Sequence, residues 1–110
     1  METRANTILE FWFLRTPSEK RFKKDQALDL EIKNNFLEDH ILAKSGEYED
    51  WLNTPHECLA LIILLDQFSR NMFRDKKEAF EQDHKARLVV NQGIYLGHLE
   101  ELKETERLFF

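Results

Sequence analysis

Eight consecutive apolar residues, Cys58 to Leu65, stand directly behind a helix start signal, and this pairing constrains the chain more than any other feature. Thr54, Pro55 and Glu57 fit the N-cap, N1 and N3 positions of a single helix start. Periodicity alone would permit a buried strand across the apolar run. The start signal, the length and the continuing Phe68 and Met72 decide for helix. The reading is one helix from Thr54 to Arg74, apolar all round in its first half and polar on one side in its second. Such a helix crosses a core and emerges beside it. Burying those eight side chains is worth roughly 10–20 kcal/mol gross, before chain entropy is subtracted.

With 110 residues the chain makes one small domain. Three Gly and two Pro are too few for the turns of an all-β fold, so the expected class is all-α. Nine Phe and two Trp supply large rings, which let a small core bury more area per residue. A first helix carries Ile8, Leu9, Phe11, Trp12 and Phe13, with Thr7 and Glu10 spaced as a capping box and Pro17 closing the segment. A charged loop follows to about Asp25. A second helix spans about Gln26 to Lys44 and stops at Ser45 and Gly46. A helical turn around Tyr48 to Leu52 anchors Trp51. After the central helix, Asp75 and Glu78 are spaced as another capping box, and a helix from about Glu78 to Leu96 ends at Gly97. The pairs Glu81/Lys85 and Asp83/Arg87 have favourable i,i+4 spacing. The short connection makes this helix and the central one an antiparallel hairpin. A last helix begins near Lys103 and runs into Leu108, Phe109 and Phe110, an apolar stripe with no C-cap. The chain therefore reads as the front part of a larger domain of antiparallel hairpins, with about five to six helices here.

The net charge of −5 and the dispersed Lys and Arg argue against nucleic acid as a partner. The cluster Lys20, Arg21, Phe22, Lys23 and Lys24 reads as solvated loop charge. Cys58, the single cysteine, sits in the apolar run, where a thiol packs as a small hydrophobe. The stretch Ile8 to Leu14 is short, contains Glu10 and lacks a small-residue cleavage site, and the longest apolar run is far below membrane-spanning length. A cytoplasmic protein without a membrane association is expected.

One polar constellation stands out. Projected at 100° per residue, Asp66, Arg70 and Arg74 form an i,i+4,i+8 stripe flanked by Gln67 and Asn71. The same side carries Leu59 and Ile63 earlier, so the stripe continues a buried face. On the next helix, Asp83 interrupts the apolar arc of Ala79, Ala86, Val90 and Ile94. A carboxylate on a core face needs a partner. The hairpin brings Asp83 level with Phe68 to Arg70, so Arg70 is the expected partner, with Arg87 or Arg74 as second choices. If that pair is buried, Arg70→Ala should cost several kcal/mol. Two readings follow. Asp66, Arg70, Asn71 and Asp83 form a clamp fixing how the helices meet, or Gln67, Arg70, Asn71 and Arg74 line a pocket for an anionic small molecule or a peptide carboxylate.

No reaction signature accompanies this cluster. Glu81 and His84 make half of a di-iron carboxylate motif without a second half, and His40, His56 and His98 lack companions at ligand spacing. Neither a phosphate loop nor a nucleophile elbow is present. No cofactor or metal is expected.

The runs Ile8–Phe13, Trp51, Thr54–Pro55 and above all Leu61 to Arg74, with Ala79, Phe80 and Asp83, resemble the bacterial domain-of-unknown-function family 924. The resemblance implies an all-helical, tetratricopeptide-like fold and no settled activity. That family usually carries proline where this chain has Ser69, so the helix break a proline imposes is not dictated here. It also continues past the equivalent of Phe110, through a His-Ser-Glu segment and a second aromatic-proline-arginine-asparagine motif. A site built from both parts would be incomplete in these residues. The expectation is a non-catalytic module binding a protein or peptide in grooves between antiparallel helices. The alternative is an enzyme or binding protein for an anionic metabolite held by Arg70, Asn71 and Arg74, and the terminal stripe could drive self-association.

Overall fold

The computed structural model describes residues 3–21 and 23–110. Helix α3 (Pro55–Leu65) is its axis: every side chain from Cys58 to Leu65 is buried, as the apolar run requires. Around it lie α1 (Arg4–Glu10), α2 (Gln26–Lys44), α5 (Asp83–Tyr95) and a 3₁₀ turn at Glu49–Asn53. Two short helices complete the fold, α4 (Gln67–Met72) behind α3 and α6 (Glu104–Arg107) near the end. The fold is all-α, and no strand occurs among the described residues. None of the described helices is long and apolar enough to cross a membrane.

The helix starts carry most of the local differences from expectation. Thr3, not Thr7, caps α1, accepting from the Asn6 N–H at 3.1 Å. Past Glu10 the chain continues as a π-helical turn over Phe11–Arg15, where the Thr16 hydroxyl donates to the Phe11 carbonyl at 2.7 Å. Arg21 donates to the carbonyls of Trp12 and Phe13 at 3.0 and 3.1 Å. It is thus not loose loop charge but a cap on the end of that helical segment. Lys20 and Lys24 pair with Asp25 and Asp75, while Phe22 of the same cluster lies outside the described residues.

Helix α2 begins and ends where its residues direct. Asp25 accepts from the Leu28 N–H at 3.0 Å, and Gly46 adopts φ +90°. The Glu47 N–H then reaches the Leu42 carbonyl and the Gly46 N–H reaches that of Ala43, the bond pair of a Schellman motif. The start of α3 is placed as expected, but Thr54 does not cap the backbone. Its hydroxyl donates to the Glu57 carboxylate at 2.7 Å.

The long central helix is in fact two. It breaks at Asp66 (φ −102°, ψ −74°), and α4 restarts at Gln67. Ser69, fully buried, donates its hydroxyl proton to the Leu65 carbonyl at 2.6 Å, a back-bond to i−4 that bends helices. A hydroxyl has one proton, so His40 Nε2, 2.7 Å from the same Oγ, must be the donor to it. Hence His40 is the neutral Nε2–H tautomer, with its Nδ1 buried. Ser69→Ala leaves that N–H without an acceptor and should destabilise the fold by about 1–3 kcal/mol in urea unfolding.

The helix expected from Glu78 is split as well. Asp75 takes φ +66°, which removes it as a cap, and a 3₁₀ turn (Lys77–Phe80) precedes α5. Neither expected i,i+4 pair forms: Lys85 bonds Glu49 at 3.1 Å, and Asp83 turns to Arg70. Gly97 ends the helix at φ +83°, in the left-handed conformation expected of it.

The C-terminal stripe is not free. Phe109 packs edge-on against Trp12 and Phe13, with ring centroids 5.7 and 5.5 Å apart. The Phe110 ring fills a notch at Gly93, where a Cβ would come within 2.6 Å of it and 3.0 Å of Cys58 Sγ. Only Leu108 points outward, 79% exposed.

Candidate functional site

The structure divides the polar stripe of the central segment between two sets of carboxylates. Arg70 Nη2 lies 2.9 Å from Asp66 Oδ1 and 3.3 Å from Asp83 Oδ1, joining the α3–α4 break to the first residue of α5. Its guanidinium sits 4.8 Å from the centre of the exposed Phe80 ring. The Asp83–Arg70 pair is thus where the hairpin geometry places it. Gln67 stays beside Asp66, donating to its Oδ2 at 3.3 Å.

Arg74 and Asn71 face the other way, toward α2. Arg74 Nε and Nη2 grip the two oxygens of Asp29 at 2.6 and 3.1 Å, and buried Asn71 donates to Asp29 Oδ1 at 2.9 Å. The carboxylate raises the Arg74 pKa above its ordinary value, chiefly through the hydrogen bond and against the opposing effect of burial. This bidentate fork is the stronger geometry of the two. Asp66, Gln67, Arg70 and Asp83 therefore form one group, Asn71 and Arg74 another.

The two groups differ in burial, and this decides their worth. The Asp83 and Arg70 side chains are 27% and 39% exposed, so water solvates either one when its partner is lost. Asp29 is only 14% exposed. Arg70→Ala should therefore cost about 1 kcal/mol or less, not the several a buried pair would imply, whereas Arg74→Ala should cost about 2 kcal/mol. Parallel thermal melts of the two variants would check the order.

Two concave regions adjoin these groups. Between α3 and α5 lies a cleft of about 310 Å³. Ile62, Ala86, Val90 and Phe109 give it apolar walls, while Asp66, Arg70, Asp83 and Arg87 stand at its polar side. A second, about 440 Å³, is lined by Arg70, Arg74, Asp75, Lys76, Lys77 and Phe80 at the turn before α5.

Several polar residues that matter to the framework were not singled out by sequence reasoning. Asp29 is one. Asp39 is another: it is buried and accepts from Arg4 Nη2 and Tyr48 Oη, both at 2.6 Å, tying α1 to α2 and the turn after it. The signal was present in α2, where Ile32, Phe36, Asp39, His40 and Ala43 recur at helical spacing, so two ionisable residues fall on the buried stripe. His98 is buried too and donates from Nε2 to the Leu52 carbonyl at 2.7 Å. Cys58 is buried and its thiol is pushed up to about 11 by that burial, which leaves it protonated and unreactive at neutral pH. Among the described residues no three His, Cys, Asp or Glu side chains converge as a metal would need.

Comparison with known proteins agrees with this architecture. No curated protein matches the chain. A solved structure of a protein of unknown function from Agrobacterium tumefaciens superimposes with a TM-score of 0.91 at 36% identity, over 96% of this chain. The chain spans 59% of that protein's length. The family model described as "Bacterial protein of unknown function (DUF924)" matches residues 8–110. With nearly the whole chain inside that match, and the Asp66 to Arg74 stripe within it, this protein belongs to the bacterial DUF924 family.

Proposed function

We propose that the protein is a non-catalytic, cytoplasmic binding module whose α3–α5 cleft receives an apolar side chain of a protein or peptide. The observation that carries this reading is the charge balance of the candidate site. Arg70 is matched by Asp66 and Asp83, and Arg74 by Asp29, so neither guanidinium stands ready for an anion. What the cleft offers instead is an apolar wall of Ile62, Ala86, Val90 and Phe109 beside a polar rim. An apolar anchor with a rim of hydrogen-bonding groups is how helical grooves recognise peptides. Asp66, Arg70, Asp83 and Arg87 supply that rim, with Gln67 bonded to Asp66 behind it, and Asn71 and Arg74 tie α4 to α2.

A second reading has its own support. Arg70, Arg74, Lys76 and Lys77 share the neighbouring cleft with Phe80 and a single carboxylate, Asp75, so cations outnumber anions there on a protein of net charge −5. An anionic metabolite would bind there. One titration separates the two. The ¹⁵N-labelled protein is titrated with N-acetyl-phenylalaninamide and, separately, with inorganic phosphate. The peptide-module reading expects the amide to shift signals of Ile62, Ala86 and Val90 and phosphate to shift none. Saturable phosphate shifts at Arg70, Arg74 and Lys76, with no response to the amide, would replace it with the second reading.

A further inference from the structure

Of the charged side chains lining the α3–α5 cleft, Asp66, Arg70 and Asp83 are committed to one another: Arg70 Nη2 reaches both carboxylates, at 2.9 and 3.3 Å. Arg87 is the exception. It is exposed and has neither an ion pair nor a hydrogen bond among the described residues, Asp83 having turned to Arg70 instead. One turn further along α5, Asn91 also lines the cleft, exposed and with its side-chain amide unbonded among the described residues. Val90, part of the apolar wall, stands between these two positions in the sequence. The cleft therefore sets an uncommitted guanidinium and an uncommitted amide donor beside the surface that takes an apolar side chain.

A guanidinium is best matched by a carboxylate, and an amide NH₂ beside it supplies a further donor to the same group. We infer that the cleft receives the C-terminal residue of a peptide, with its apolar side chain on the wall and its α-carboxylate on Arg87 and Asn91. This inference rests on the peptide-module reading of the cleft and names the part of the peptide it takes. Placement favours the terminal carboxylate over an acidic side chain. In an extended peptide successive side chains point to opposite faces, so an acidic neighbour of the anchor is turned away from the wall, whereas the α-carboxylate belongs to the anchor residue itself. An exposed guanidinium holds a free anion only weakly in water, so the apolar contact and the carboxylate have to come from one molecule. Asp83, one turn before Arg87, opposes an incoming carboxylate and keeps the expected gain to about tenfold.

The test titrates the ¹⁵N-labelled 110-residue chain with N-acetyl-phenylalanine and with N-acetyl-phenylalaninamide. A third probe, N-acetyl-phenylalanyl-glutamic acid α-amide, carries its only carboxylate on a side chain. N-acetyl-phenylalanine should bind about tenfold more tightly than either amide and should shift the Arg87 Nε–H and Asn91 side-chain signals. In Arg87→Gln the ratio of acid to amide affinity should fall to about one, while the melt stays that of the parent because the side chain is exposed and unbonded. Arg15→Gln, at an exposed position that does not line the cleft, should keep the preference. Equal binding of acid and amide, or a preference that survives Arg87→Gln, would overturn the inference and leave the cleft reading standing. The same preference shown by the glutamic probe would overturn the terminal assignment. No binding by any of the three would overturn the cleft reading and this inference with it.

Discussion

Phe68→Ala is expected to lower the unfolding free energy by about 3–5 kcal/mol, the range for removing a buried phenyl ring. Phe68 is fully buried at the meeting point of three elements. Its ring centroid lies 4.9 Å from that of Phe36 on α2, 5.8 Å from Trp12 and 6.1 Å from Phe11. Edge-on and tilted aromatic contacts of this kind add to the apolar area removed from water. The ring also sits two residues past the α3–α4 break, in the first turn of α4, so it holds the direction in which α4 leaves. A domain of this size is stable by only about 5–15 kcal/mol, and losing about a fifth or more of that would bring the urea midpoint down sharply. Phe80→Ala serves as contrast. That ring is largely exposed, and its removal should change stability by about 0.5 kcal/mol.

Acid should unfold the protein early, through His40. Burial lowers its pKa to about 4, with the nearby Lys44 acting in the same direction. In the unfolded chain the imidazole titrates at an ordinary value of about 6.5. Between these two values the unfolded state holds the additional proton, so stability rises with pH across that window and is lost as pH falls through it. The gap corresponds to about 3 kcal/mol, fully present above pH 6.5 and gone near pH 4. The structural cause is that Nδ1 has no hydrogen-bond partner in the core, so the cation would gain a second buried N–H with nothing to accept it. Urea midpoints at pH 7 and pH 4.5 measure the loss. In His40→Leu most of this pH dependence should vanish, while Ser69 keeps its bond to the Leu65 carbonyl.

Features set by local chemistry were legible in the sequence; features set by distant contacts were less so. The Cys58–Leu65 run identified α3 as the core because no surface helix tolerates eight apolar residues in succession. Asp25, Gly46 and Gly97 marked helix ends by chemistry confined to a few residues, so those ends were readable. The break at Asp66 was not, since spacing alone does not show that Ser69 turns its hydroxyl back to the Leu65 carbonyl, where His40 from α2, twenty-nine positions away, meets it. Likewise Glu78 gave way to Asp83 as the start of α5 because Asp75 takes a left-handed turn that nothing in its own neighbourhood specifies.

The candidate site shows the same division. The Arg70–Asp83 contact followed from hairpin geometry and was found. The Arg74–Asp29 fork spans forty-five positions and joins helices whose relative placement periodicity does not give. Reading Arg70, Asn71 and Arg74 as one cluster was natural from their spacing. The bend at Asp66 and the approach of α2 direct Asn71 and Arg74 to one neighbour and Arg70 to others. On the proposed reading, the carboxylates Asp66, Asp83 and Asp29 make of these arginines a pair of clamps rather than an anion site.

That conclusion is most directly tested by a double-mutant cycle on Asp29 and Arg74, using Asp29→Ala, Arg74→Ala and the double variant with unfolding followed in urea. A structural clamp predicts a coupling energy of about 1.5–3 kcal/mol between the two positions. A coupling near zero, with the single variants as stable as the parent, would contradict it and return Arg74 to the pool of charges free to hold a ligand.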